Sequence, residues 1–196
     1  MEYSFASENF APVHPVIMQA LTTANQYHDY SYGADQFSEK TKALLREQFG
    51  QRIDVYFTYN GTGANNFGLS VLTQPCSAVL CADVSHLYVD ESTAPETFTG
   101  CRLYPVLTKH GKILLEELEK TARRFHSIHN PIPAVVTITQ PTEYGTIYTL
   151  EEIREIARFC RKNEMYLHMD GARYFNAAAA LHVPLGYFTY NTGVDV

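Results

Sequence analysis

Hydrophobic and polar residues follow two different periods along the chain, one typical of helices and the other of strands. Apolar residues at helical spacing predict helices over residues 15–24, 36–49, 67–72, 114–125 and 150–163. Short runs rich in apolar residues predict strands over residues 55–59, 78–81, 102–106, 134–139 and 165–169, and the first of these runs is β-branched and aromatic. Strands that alternate with helices of this length indicate an α/β fold with a mostly parallel sheet flanked by helices.

Residues that favour helix ends lie where this pattern needs them. Asp35 or Ser38 is expected to cap the helix over 36–49, and Gly50 is expected to end it. Thr149 is expected to cap the helix over 150–163, whose acidic first turn suits the helix dipole.

Composition and charge narrow the classes of function. The chain has 196 residues, 45% of them hydrophobic and 18% charged, which is enough for one domain with a sizeable core. A net charge of -6 without any Lys/Arg run argues against nucleic-acid and membrane-surface partners. No signal peptide and no bilayer-spanning stretch is expected. Four scattered cysteines without zinc-like spacing fit reduced thiols, so the expected compartment is the cytoplasm.

The first candidate for chemistry is the glycine-rich turn over residues 60–65. Ligands of parallel α/β sheets bind at the carboxyl ends of the strands, and this turn follows a predicted strand. Its glycines expose backbone N–H groups at a helix N-terminus, and Thr62 adds a hydroxyl donor, which together favour a phosphate. It is no P-loop, since no Gly-Lys-Ser/Thr follows, and Asn66 replaces the third glycine of a dinucleotide fingerprint. The alternative is a plain strand-to-helix turn.

The second candidate is His86, which follows the strand that ends at Cys81. Its imidazole could stack on a planar cofactor or move protons, and Glu91 could reach the same pocket. A single histidine after a strand is more often structural, and that alternative stays open for His86 taken alone.

The third candidate pairs Asp170 with Arg173 after the strand over 165–169. A carboxylate at the end of a buried strand needs a positive partner, and a protonated pyridine nitrogen is one. Arg173 would place a guanidinium nearby that suits a carboxylate or a phenolate oxygen. The alternative is an internal ion pair between Asp170 and Arg173.

Several motifs in chain order resemble those of threonine aldolases and related β-eliminating lyases. Residues 168–177 resemble the Asp-Gly-Ala-Arg signature, and residues 60–65 are similar to Ser-Gly-Thr-x-x-Asn with Asn in place of Ser. Residues 82–91 resemble Ala-Asp-x-His with one extra residue before the His, and residues 32–35 resemble Tyr-Gly-x-Asp. Ser7 and the following Glu resemble an N-terminal Ser-Asp.

This resemblance implies a pyridoxal 5′-phosphate (PLP) enzyme with the aminotransferase-like fold type I. It implies that Asn60, Gly61 and Thr62 hold the phosphate of PLP and that His86 stacks on the ring and helps to deprotonate the β-hydroxyl of the substrate. Asp170 would pair with the pyridine nitrogen.

The resemblance also implies substrate contacts and an oligomer. Arg173 and Ser7 would bind the substrate carboxylate or the ring oxygen, with Glu91 near the substrate. Tyr32 would reach the site of a neighbouring subunit in a homodimer or homotetramer. The segment 140–145 departs from the commoner Asn-Thr-His pattern, which leaves the local substrate contacts open.

Two regions are expected by this resemblance: a dimer-contact arm over 1–34 and an incomplete large PLP-binding domain over 35–196. The Schiff-base lysine of the family lies roughly thirty residues beyond the Asp, so this chain would be truncated before it, without the small domain, and inactive alone.

The expected reaction is cleavage of the Cα–Cβ bond of a β-hydroxy-α-amino acid, threonine or allo-threonine, to glycine and an aldehyde. The alternatives are β-elimination from an aromatic or hydroxy amino acid and a non-catalytic PLP-binding or subunit-contact fragment. A Rossmann-type nucleotide binder would rest only on the turn at Gly61 and Gly63. No metal is expected, because His126 and His129 fit solvated histidines at a helix end better than ligands.

Overall fold

The computed structural model describes residue 4 and residues 6–196. Contacts within the chain divide it into two compact units, one up to Ala43 and one over Leu44–Val196. The boundary expected between residues 34 and 35 stays a prediction.

The first unit is helical. It contains a 3-10 helix (Glu8–Phe10), α1 (Pro15–Ala24) and the beginning of α2 (Gln36–Phe49), and both α-helices have the predicted bounds. Asp35 caps α2, because its carboxylate accepts from Ser38 N at 2.8 Å and from Ser38 Oγ at 2.6 Å. The hydrogen bond from the Ser38 hydroxyl lowers the pKa of Asp35.

The second unit contains the sheet. Its strands are β1 (Ser77–Ala82), β2 (Arg102–Val106), β3 (Thr108–Lys109), β4 (Lys112–Ile113), β5 (Ile132–Thr139) and β6 (Tyr166–Asp170). Its helices are α3 (Gly61–Leu72), α4 (His86–Val89), α5 (Ala94–Thr99), α6 (Leu115–Ala122), α7 (Leu150–Lys162), α8 (Tyr174–Leu181) and a 3-10 helix (Leu185–Phe188). The main sheet has the order β2-β1-β5-β6, and every pair in it is parallel. Strands β3 and β4 form an antiparallel hairpin.

Both faces of the sheet are covered, as its apolar strands require. Successive residues of β1 point to opposite faces, so that Val79 joins one apolar cluster with Leu69 of α3, while Leu80 joins the other. This second cluster includes the buried face of α7, with Ile153 and Ile156. Among the helices described, none combines the length and apolar character that crossing a bilayer requires.

Several predicted bounds need correction. Residues 55–59 form no strand: Tyr56 and Phe57 are exposed, and this run makes no ladder with any strand in the described part of the chain. Helix α3 begins at Gly61 rather than Phe67, so the glycine-rich turn is its first turn. Short elements such as α4, α5 and the β3–β4 hairpin were not predicted from the periodicity, because they are too brief to show one.

The strand order places a topological switch point between β1 and β5. The chain passes from β1 to β2 on one side, and then to β5 and β6 on the other. In parallel sheets the carboxyl ends at such a point border a crevice. Here those ends are Ala82 of β1, Thr139 of β5 and Asp170 of β6.

Candidate active site

Asp170 is the last residue of β6 and is only partly buried. Its Oδ1 accepts from Ala172 N at 3.0 Å, and its Oδ2 accepts from Asn65 Nδ2 at 3.1 Å. Asp170 and Arg173, both within the described ranges, form no ion pair with each other, so the alternative of an internal pair was wrong. The carboxylate is therefore oriented by neutral donors and keeps acceptor capacity for a positive partner.

Asn65, on α3, links two carboxylates. Its Nδ2 also donates to Glu91 Oε1 at 2.8 Å, and Asn65 is buried. Ionised carboxylates only accept hydrogen bonds, so the amide must turn its nitrogen rather than its oxygen toward Glu91 and Asp170. The side chain of Glu91 is completely buried.

His86 stands at the other end of this series of hydrogen bonds. Its Nδ1 lies 2.9 Å from Glu91 Oε1, and its backbone N donates to Glu143 Oε1 at 2.9 Å. The imidazole is 47% exposed although the carboxylate beside it is buried. A continuous hydrogen-bonded series thus runs from Asp170 through Asn65 and Glu91 to His86.

The segment that departs from the family pattern forms an anchored loop after β5. The Gln140 side chain bonds twice to Tyr148: its Nε2 donates to the carbonyl at 2.9 Å, and its Oε1 accepts from the backbone N at 3.0 Å. The loop holds Glu143 against His86 and presents the Pro141 carbonyl, which accepts from Arg173 Nη2 at 3.2 Å. The loop therefore connects the guanidinium of Arg173 with the backbone of His86.

Arg173 has a buried donor nitrogen besides the Nη2 that contacts Pro141. Its Nε is buried and makes no hydrogen bond within the part of the chain that the structure describes. An unpaired buried donor is costly, and an anion bound beside it would remove that cost.

The glycine-rich turn has the geometry of a helix N-terminus. Asn60 is the N-cap of α3, and its Oδ1 accepts from Gly63 N at 2.8 Å. The N–H groups of Gly61 and Thr62 have no intrahelical partner by helix geometry, and a Cβ built on Gly61 would meet nothing within 4 Å. Free N–H groups at a helix N-terminus suit an anion.

The remaining predicted site residues lie in the first unit. Ser7 Oγ accepts from Asn9 N at 3.2 Å, and Tyr32 is fully exposed with a φ of 62°. Their assignment to substrate binding stays a prediction.

Two cavities lie away from these residues. One of about 430 Å³ is lined by α6 and α7, and one of about 970 Å³ lies at the amino ends of the strands. In the described residues no group of three or more His, Cys, Asp or Glu side chains is arranged to hold a metal ion.

Solved structures share this architecture. The threonine aldolase of Leishmania major superposes with a TM-score of 0.86 at 28% identity, over 90% of this chain and 52% of that one. An archaeal alanine:glyoxylate aminotransferase superposes with a TM-score of 0.64 at 16% identity, over 91% of this chain and 45% of that one, a likeness of fold. The protein is thus an α/β protein of the aminotransferase-like fold type I, as its sequence predicts, with its polar cluster at the switch point.

The sequence comparison then gives the family. The family model described as beta-eliminating lyase matches residues 4–195, and this chain belongs to that family. The low specificity L-threonine aldolase of Pseudomonas aeruginosa is 37% identical over 193 residues, 98% of this chain and 56% of that protein. The enzyme of the same name from Saccharomyces cerevisiae is 28% identical over 181 residues, 91% of this chain and 46% of that protein. The chain spans about half the length of these relatives.

Sequence reasoning missed Asn65, Gln140 and Glu143 as individual residues. The sequence pattern places Asn65 only as the last residue of the phosphate turn, although a buried polar side chain needs a specific partner. Gln140 and Glu143 lie in the divergent segment, and no local pattern connects them with Tyr148 or His86.

Proposed function

We propose that the protein to which this chain belongs is a PLP-dependent lyase that cleaves the Cα–Cβ bond of a small β-hydroxy-α-amino acid, threonine or allo-threonine. The products are glycine and an aldehyde. The observation that carries this proposal is the hydrogen-bonded series from the strand-end carboxylate of Asp170 to the half-exposed imidazole of His86. The names of the relatives at up to 37% identity support the same reaction.

The residues at the carboxyl edge fit PLP. The cofactor carries a phosphate, a ring oxygen and a basic ring nitrogen, and the site offers free N–H groups at Gly61 and Thr62, an unpaired Nε at Arg173 and a carboxylate at Asp170. When bound, PLP supplies an electron sink for the negative charge that forms on the substrate as Cα–Cβ breaks.

Asp170 is proposed to hold the proton on the ring nitrogen. A carboxylate already oriented by Ala172 N and Asn65 Nδ2 needs little rearrangement to accept from that nitrogen. Its negative charge favours the protonated ring, which is the form that draws electrons.

His86 is proposed to stack on the ring and to accept the proton of the β-hydroxyl. An exposed imidazole whose Nδ1 is bonded to Glu91 keeps Nε2 available to a substrate. Removal of the hydroxyl proton lets the carbonyl of the leaving aldehyde form.

The phosphate and the substrate carboxylate are assigned to separate donors. Gly61 and Thr62 donate to the phosphate through backbone N–H groups, with Asn60 as the cap that shapes this turn. Arg173, tethered to Pro141, presents its guanidinium to the carboxylate or the ring oxygen, as Arg side chains do. The Glu91 side chain has no exposed surface, so the direct substrate contact expected for it is replaced by an indirect part through His86. Ser7 stays a proposed substrate contact.

A product assay tests the reaction. The whole protein, supplied with PLP, should release glycine and acetaldehyde in equal amounts from threonine or allo-threonine. β-Elimination would instead yield ammonia and a 2-oxo acid from the same substrate, and from a tyrosine-like substrate it would also release a phenol. Ammonia without glycine would overturn the proposed cleavage in favour of elimination.

We also propose a cytoplasmic homodimer or homotetramer whose subunits share sites through Tyr32. The four cysteines are all free in the structure, in keeping with a reducing compartment. Helix α1 is apolar yet has no buried residue, which favours a cover from a second copy.

A further inference from the structure

We propose that Glu91 is a positioning residue for His86: it holds the imidazole in the tautomer with its proton on Nδ1, and Asn65 holds Glu91 in place. The catalytic meaning of this arrangement rests on the function proposed above, whereas the arrangement itself is a property of the unliganded chain.

The surroundings of Glu91 fix the tautomer. Its side chain has no exposed surface, and its Oε1 lies 2.8 Å from Asn65 Nδ2 and 2.9 Å from His86 Nδ1. A buried carboxylate needs donors, and an imidazole nitrogen that faces it must therefore carry the proton. In the neutral ring, Nε2 is then the nitrogen with the free lone pair.

Asn65 holds this geometry from the other side. Its two amide hydrogens point to Glu91 and Asp170, at 2.8 and 3.1 Å from the shared nitrogen. Two carboxylates so close repel each other, and a neutral double donor between them offsets that repulsion and fixes both orientations. Asn65 is itself buried on α3, which limits its alternative rotamers.

As a consequence, the His86 imidazole already has its free lone pair on Nε2 before a substrate binds. Without Glu91 the proton would be distributed between the two ring nitrogens, and fewer imidazoles would present a free Nε2. Glu91 acts through His86 and need not touch the reacting atoms, so its substitution should lower kcat while leaving KM nearly unchanged.

The test is the tautomer of His86, read from two-bond ¹H–¹⁵N NMR correlations of the labelled chain without cofactor. The spectra are recorded at about pH 8.5, where an ordinary imidazole is neutral. The His86→Asn spectrum identifies the signals by their loss. We expect the wild-type ring to be protonated on Nδ1, and the Glu91→Leu ring to be protonated mainly on Nε2.

Two matched variants test whether the tautomer of His86 depends on an acceptor oxygen at position 91 or on negative charge nearby. Glu91→Gln should keep the wild-type tautomer, because its amide oxygen can accept from both His86 and Asn65. Asp90→Asn removes an acidic group one residue away, on an exposed side chain, and should also leave the tautomer unchanged. Asn65→Ala should give a tautomer ratio between those of wild type and Glu91→Leu.

A wild-type ring protonated on Nε2 would overturn the proposal without any variant, even if Glu91→Leu fails to fold. A folded Glu91→Leu that keeps the Nδ1 proton would overturn it as well. Wild-type populations in folded Asn65→Ala would contradict the part assigned to Asn65. No substrate or PLP enters this measurement, so its outcome is independent of the cleavage assay.

Discussion

Two histidines of this chain have opposite surroundings. His86 is half exposed beside a carboxylate, whereas His168 is buried within β6, with its Nδ1 2.8 Å from the hydroxyl of Thr137. Burial lowers the pKa of His168 to about 4, against an opposing effect of Asp170. His168 is therefore neutral in the native protein at ordinary pH, and its hydrogen bond ties β6 to Thr137 of β5.

Protonation of His168 makes native stability depend on pH. Its pKa is 6.5 for the ordinary side chain and about 4 in the native state, so between these values only the unfolded chain binds the proton. The contribution of His168 to the free energy of unfolding should be complete above pH 6.5. It should be lost, by up to about 3 kcal/mol, as the pH falls from 6.5 to about 4. Urea unfolding of wild type and His168→Asn at both ends of the window measures the difference. An equal loss of stability in both proteins would contradict this assignment.

Residue types at strand ends were predictable, but their partners were not. Asp170, Arg173 and His86 lie at or after the ends of strands that the hydrophobic pattern locates within a residue or two, and a charged or imidazole side chain there is conspicuous. The partners of Asn65 lie 26 and 105 residues away along the chain, so only the folded chain reveals its role. The same holds for Glu143, which meets His86 across 57 residues.

At the scale of elements, the N-terminus of α3 combines a cap with the proposed phosphate contact. Asn60→Ala removes the acceptor for Gly63 N and should lower the free energy of unfolding by about 1 kcal/mol. Asn60→Ser should retain most of that stability, and Asn60→Asp should retain it while weakening PLP binding, because a negative charge then faces the phosphate. Chemical unfolding and PLP titration of the three variants check this. Asn60→Asp with undiminished PLP affinity would exclude the phosphate from this turn.

Elements long enough to show a full hydrophobic period were predictable from the sequence, whereas short elements and runs without a pairing strand were not. Helices α1 and α2 have the predicted bounds because each is long enough to show a full hydrophobic period. Strand β2 also has the predicted bounds, from a short run that contains Leu103, Tyr104 and Val106. The run over 55–59 has strand-like composition but makes no ladder in the described residues, and composition alone cannot supply a hydrogen-bonding neighbour. The capping box of Thr149 with Glu152 was readable because both partners are local.

At the scale of the whole molecule, the apolar surface of α1 predicts association. Ile17 and Leu21 lie one turn apart on this helix and are both more than half exposed. We expect light scattering after gel filtration of the whole protein to give two or four times the mass of one chain. Ile17→Glu combined with Leu21→Glu should shift the mass toward one chain, and a wild type that runs as one chain would contradict the proposed oligomer.

The central claim is that Asp170 faces the ring nitrogen of PLP. Equilibrium dialysis of PLP against wild type, Asp170→Asn and Asp83→Asn tests it, because Asp83 also follows a strand but accepts from Thr108 at 2.7 Å. Loss of a charge-assisted hydrogen bond should weaken PLP binding to Asp170→Asn by about tenfold or more, with Asp83→Asn close to wild type. Equal affinity of wild type and Asp170→Asn would contradict the account.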